Sequence, residues 1–178
     1  MRTLFIHPYD PTTDFCNEIY DQYRGMDNVG IIETNNISSS ALRSQIREYD
    51  RIVFIGHGCE YGLMDRSLKR ILISSSDLQF FRDKEVVCIW CNANIFAEKY
   101  NLNAFATGMF ISEPSEAVHY HIPFDDNLIN ESNSLFCRIL SGCIFDNVQT
   151  IRETVDKEYR STSNPIVQFN RECMGFEN

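Results

Sequence analysis

The chain has 178 residues, 43% of them hydrophobic and 23% charged, with a formal net charge of −9 and a pI near 4.9. That is enough apolar material for one well-buried core, and a single domain is the expectation. The acidic balance speaks against general nucleic-acid or anionic-membrane binding, both of which want a basic face, and no apolar run is long enough to span a bilayer.

The N-terminal MRTLFIHPYD reads as a first strand over 3–6 and not as a secretion signal, because its short apolar run goes straight into His7-Pro8. HPYDP then turns the chain. Phe15, Ile19 and Tyr23 recur at four-residue spacing and predict a helix, with Thr12, Thr13 or Asp14 to cap it and Arg24-Gly25 to close it. A second strand follows over 29–33. Leu42, Ile46 and Tyr49 give one face of a helix that Ser38 to Ser40 can cap. RIVFIGHG is the third strand, ending at His57. Strand and helix alternate, which implies a parallel sheet with right-handed crossovers.

After Gly58 the chain loops through CEYGLM, and 66–73 reads as either a short helix or a strand. Ser74 to Asp77 is a further capping signal, followed by DLQFF. Residues 86–90 are apolar on both faces and predict a central strand. A helix is expected over 93–100, starting directly after Cys91, and a fifth strand over 104–111. Residues 113–120 are helix-compatible, 121–130 a loop, 132–142 a helix, and Val148, Ile151 and Val155 suggest a last helix. The expected architecture is a three-layer α/β/α sandwich with a mostly parallel sheet over residues 1–160. Residues 161–178 are read as a polar tail, ordered only by a partner. Seven Cys, an odd number with two in one core strand, fit reduced thiols of a cytoplasmic protein better than a disulfide framework.

The chemistry concentrates where the two most apolar strands end. Ligands bind at the carboxyl ends of strands in an open α/β sheet, which makes His57 and Cys91 neighbours at one edge. A thiol beside an imidazole is a minimal activated nucleophile. Taken alone, His57 also reads as a strand-end histidine bonded to backbone. Cys88 and Cys91 form a C-x-x-C, but residues three apart on a strand point to opposite faces. Cys88 is therefore read as core, and a zinc site from His57, Cys59, Cys88 and Cys91 is disfavoured.

The order of an apolar strand ending in His57-Gly58 and an apolar strand ending in Cys91-Asn92-Ala93 resembles the caspase-like cysteine peptidases, and among them the CHAT branch. AFATGMFISEPSEA resembles that family's next strand and acidic loop, and LFCRILSG its amphipathic helix ending in Gly. The resemblance covers roughly residues 50–155. It implies a sheet ordered 2-1-3-4-5 and a cysteine endopeptidase with a His57–Cys91 dyad and no cofactor or metal. The amides of Gly58 and Cys91 would hold the oxyanion, and the start of the following helix would lower the Cys91 pKa. It also implies a regulated prokaryotic effector in signalling or antiviral defence, acting on a protein or peptide substrate and raised from low basal activity by a small ligand or partner protein.

Asp10, Glu113 and Trp90 are candidate substrate-binding residues, with Glu116 beside them. The carboxylates would select Arg or Lys before the scissile bond. Asp10 reads equally as a turn residue, and Trp90 most simply as core. His7 is read as part of the turn, and His119 and His121 as solvated. No third residue to orient His57 is evident, nor is a glycine-rich phosphate loop or a serine elbow. The competing expectation is an inactive α/β binding module that uses the same cleft to sense a ligand or partner.

Overall fold

The computed structural model describes residues 1–8, 10–33 and 37–176. Residue 9 of the HPYDP turn and the last two residues of the expected tail lie outside them. Strands β1 (Thr3–Ile6), β2 (Val29–Ile32) and β3 (Arg51–Ile55) are joined by 3-10 turns over Asp14–Ile19 and Asp21–Tyr23 and by helix α1 (Ser39–Arg47). A small antiparallel sheet of β4 (Gly58–Cys59), β5 (Gly62–Met64) and β6 (Ile71–Ile73) follows. Then come β7 (Glu85–Ile89), α2 (Ala93–Lys99), β8 (Ala104–Ala106), α3 (Pro114–His119), α4 (Asp126–Cys143), α5 (Val148–Arg160) and α6 (Pro165–Cys173).

The main sheet has five strands in the order β2-β1-β3-β7-β8, every pair parallel. In chain order of those five strands this is 2-1-3-4-5, as expected. Side chains alternate across the sheet, and both faces are covered. Phe5, Val53, Ile55, Val87, Ile89 and Phe105 pack with Phe136, Leu140, Ile151 and Val155 of α4 and α5. Leu4, Ile6, Ile52, Phe54, Val86 and Cys88 pack with Leu42 and Ile46 of α1 and with Phe96 of α2. Continuous apolar runs in the central strands follow from this double burial. Arg51 starts β3, is 1% exposed and pairs with Glu85 and the Ile144 carbonyl at the sheet's amino-terminal end.

Four elements differ from expectation. The segment around Phe15 and Ile19 is 3-10, held by three-residue turns such as Cys16 N–H to Thr13 O and Tyr20 N–H to Asn17 O, both near 3 Å. Thr13 and Tyr20, which flank it, both hydrogen-bond the His7 ring just after β1. The fifth strand, expected over 104–111, pairs with β7 only as far as Ala106; residues 71–73, left open between helix and strand, pair with β5. The helix expected over 132–142 begins six residues earlier, at Asp126, whose preceding Asp125 side chain accepts the Leu128 amide at 2.8 Å.

The fourth difference is the tail. Residues 165–173 form α6, capped by the Asn164 side chain and opened by Pro165, with Ile166, Val167, Asn170 and Arg171 buried. The reading of 161–178 as a loose polar tail is corrected: α6 shares an apolar cluster with Ile111, Ala117 and Ile129, and Arg171 pairs with Asp156 of α5 at 2.8 Å. Its C-terminal end lies against the chain after β8. A Cβ on Gly108 would fall 1.9 Å from the Cys173 carbonyl oxygen, so only glycine permits that approach.

Candidate functional site

Register brings the two expected residues together. Ile55 of β3 is paired with Ile89 of β7. His57 and Cys91 each follow two residues after that last pair, just beyond the strand ends. Both line one cavity of about 40 Å³ at the carboxyl end of the sheet, on the α4 side. Its other walls come from Thr13, Phe15 and Cys16 of the first crossover, Phe110, Ser112 and Glu116 after β8, and Phe136 of α4. Cys88 is fully buried in the opposite layer, as the alternation requires.

His57 is held from the loop after β1. Its Nε2 lies 2.7 Å from the Thr12 hydroxyl and 3.5 Å from Asp10 Oδ1. Asp10 Oδ1 also accepts from the Thr12 amide at 2.9 Å and the Thr12 hydroxyl at 2.6 Å. Partial burial works against the Asp10 charge, but the Thr12 hydrogen bonds and the His57 ring bring its pKa below the usual carboxylate value. Asp10 is thus a partner of His57 and not a wall of the cavity. Thr12 was expected only as a cap. The signal that marks it is Asp10-x-Thr12, a side-chain turn motif following the strand that pairs with β3.

Cys91 faces the other way. Its thiol donates to the Phe110 carbonyl at 3.9 Å. Burial, with the Glu116 carboxylate adding to it, pushes this thiol up to about 11. The net shift is opposite in direction to the lowering expected from the following helix, with burial as its largest cause. In this geometry Cys91 is a protonated, resting thiol.

The remaining expected residues divide. Gly58 is not among the cavity-lining residues. His57 O accepts the Met64 amide at 2.8 Å, and Gly58 is the next pair, opposite Leu63, so its own amide points away from β5. Its lack of a side chain serves Trp90: a Cβ there would lie 2.1 Å from the indole. Trp90 borders the cavity, yet its indole is packed edge-on with Phe54 and Phe96 and donates to the Cys59 carbonyl at 3.0 Å. It is core, in place of the substrate wall it was offered as.

Glu113 sits at the N-cap of α3 and is not among the lining residues; Glu116 is the acid at the cavity. Glu116 Oε2 accepts from the Ser112 amide at 2.7 Å and the Glu113 amide at 3.1 Å. His7 is fully buried behind the cavity, 3.0 Å from the Thr13 hydroxyl and 2.9 Å from the Tyr20 hydroxyl. Desolvation lowers its pKa to about 4, so it is neutral.

Neither a scan against protein-family models nor a search of curated proteins found a match to this chain. Among the described residues no group of three or more His, Cys, Asp or Glu is arranged to hold a metal ion, and no helix is long and apolar enough to cross a membrane. All seven cysteines are free thiols. What the arrangement offers chemically is two thiols, the buried Cys16 and the partly exposed Cys91, one imidazole with its own carboxylate, and one further carboxylate around a small cavity with apolar walls.

Proposed function

We propose that this chain is a cysteine endopeptidase in which Cys91 is the nucleophile and His57 its base, resting in an unengaged state. The observation that carries the reading is the pair of parallel strands that end at one height with His57 and Cys91 on the same cavity. In the reaction the Cys91 proton passes to His57 and the thiolate attacks the peptide carbonyl. The amine leaves with the proton returned by His57, and water hydrolyses the thioester. The Cys91 amide is retained as an oxyanion donor; Gly58, outside the cavity lining in this resting geometry, would join it only after the site opens. The resemblance to CHAT-type peptidases favours a regulated prokaryotic effector of signalling or antiviral defence. Seven free thiols suit a reducing, cytoplasmic compartment.

The second reading, an inactive module that senses a ligand or partner in this cleft, is favoured by one observation: the thiol bonds Phe110 O and not His57. Iodoacetamide labelling separates the two. Cys59 and Cys173 are partly exposed like Cys91, while the other four cysteines are buried. Under the peptidase reading the thiol swings to His57 often enough for Cys91 to label well ahead of Cys59 and Cys173, and Cys91→Ala abolishes turnover with the fold intact. Labelling no faster than those two, in the chain that also cleaves nothing, sinks it.

A further inference from the structure

The hydroxyl of Thr12 and the carboxylate of Asp10 fix more than the position of His57; they fix where its proton sits. Asp10 is an ionised carboxylate and can only accept hydrogen bonds. Its Oδ1 takes the Thr12 hydroxyl proton at 2.6 Å and the Thr12 amide at 2.9 Å. A threonine hydroxyl has one proton to give. With that proton committed to Asp10, Thr12 Oγ1 can meet His57 Nε2, 2.7 Å away, only as an acceptor. The hydrogen must then be on Nε2, and in the neutral ring Nδ1 is left with a bare lone pair.

We infer that Asp10, acting through Thr12, is a positioning residue that locks His57 in the Nε2–H tautomer and so makes Nδ1 the base. The inference deepens the proposed peptidase reading and rests on it for the word base; the tautomer itself does not. When Nδ1 takes the Cys91 proton, the ring becomes an imidazolium whose Nε2–H stays on Thr12. Asp10 Oδ1, 3.5 Å from Nε2, then faces a full positive charge. The device draws both residues from the loop after β1, the strand that pairs with β3, so the partner reaches His57 across one strand spacing.

The test is ring nitrogen-15 NMR of the whole chain at a pH where the imidazoles are neutral, with the His57 signals assigned by their loss in His57→Gln. The wild type should show His57 in the Nε2–H form. Thr12→Val, which keeps the shape and removes the hydroxyl, should shift it to a mixture of tautomers, as should Asp10→Ala, which removes the acceptor that holds the hydroxyl proton. Thr12→Ser should restore the wild-type pattern. In parallel, alkylation of Cys91 should slow roughly tenfold or more in Thr12→Val and recover in Thr12→Ser. A wild-type ring protonated at Nδ1, or a Thr12→Val spectrum identical to wild type, overturns the assignment. A locked Nε2–H ring with no selective Cys91 alkylation in any variant upholds the assignment and removes the peptidase reading instead.

Discussion

At the scale of single residues, three side chains in or near the site have their protonation set by different surroundings. Cys91 keeps its proton because it is buried, His7 stays neutral because it is buried, and Asp10 stays charged because Thr12 and His57 surround it. His7 gives a pH signature. Its pKa is about 4 in the fold against 6.5 for the free group, so the unfolded chain takes up a proton first as pH falls. Stability from this group is fully present above about pH 6.5, declines through that window, and is lost by about pH 4, a total of about 3 kcal/mol. Denaturant titrations across the window should show this slope in wild type and a flatter one in His7→Asn.

Glu116 gives a specificity signature. With Asp10 turned to His57 and Glu113 at a helix cap, Glu116 is the one of the three candidate carboxylates that lines the cavity. Its Oε2 is occupied by backbone donors. A basic substrate side chain would have to meet Oε1. On a fluorogenic panel that varies only the residue before the scissile bond, Glu116→Gln should cut the preference for Arg or Lys roughly tenfold. A preference for Asp in the wild type would refute the assignment. His57 and Cys91 were legible in the sequence because each closes an apolar run. The role of Asp10 was not, since it depends on how the loop after β1 folds back over the end of β3.

At the scale of elements, α6 governs the loop that makes the cavity's far wall. Asn170 is fully buried and spans both backbone groups of Ile111, accepting its N–H at 2.7 Å and donating to its carbonyl at 3.2 Å. Asn94 Nδ2 donates to the Cys173 carbonyl at 3.0 Å, fastening the helix end beside α2. Asn170→Ala leaves a buried amide and carbonyl unpaired and should destabilise the fold by about 2–4 kcal/mol, read by urea denaturation. It should also free the Phe110 carbonyl's segment and change the labelling rate of Cys91. A stability loss below about 0.5 kcal/mol would show that water replaces the side chain without cost.

Helix α6 was hidden by composition. Ser-Thr-Ser-Asn-Pro reads as polar, yet Asn164-Pro165 is a helix-start signal, and Ile166, Val167 and Met174 are buried behind it. The central strands β1, β3 and β7 were legible for the opposite reason: double burial gives each an apolar run. The three short strands between β3 and β7 carry no such run, and their pairing depends on register that no local pattern announces.

At the scale of the whole molecule, the cavity is too small for its proposed task as it stands. About 40 Å³ holds roughly three waters and not a substrate side chain. Opening it requires Phe15, Phe110 or Phe136 to move, and each belongs to a different part of the chain. The purified protein should therefore turn over an unfolded generic substrate slowly, and a ligand or partner that parts these walls should raise the rate. Full activity of the protein alone would contradict this.

The clasp of Asn170 on Ile111 also sets an order in time. Strands β1, β3 and β7 emerge from the ribosome long before residue 170, so His57 and Cys91 can be side by side while the wall after β8 still lacks its fastening. A nascent chain in that condition has its thiol near its imidazole but no fixed Phe110 carbonyl to bind it. Synthesis itself would then pass through a more reactive thiol than the finished protein has, and closure by α6 would be the step that quiets it.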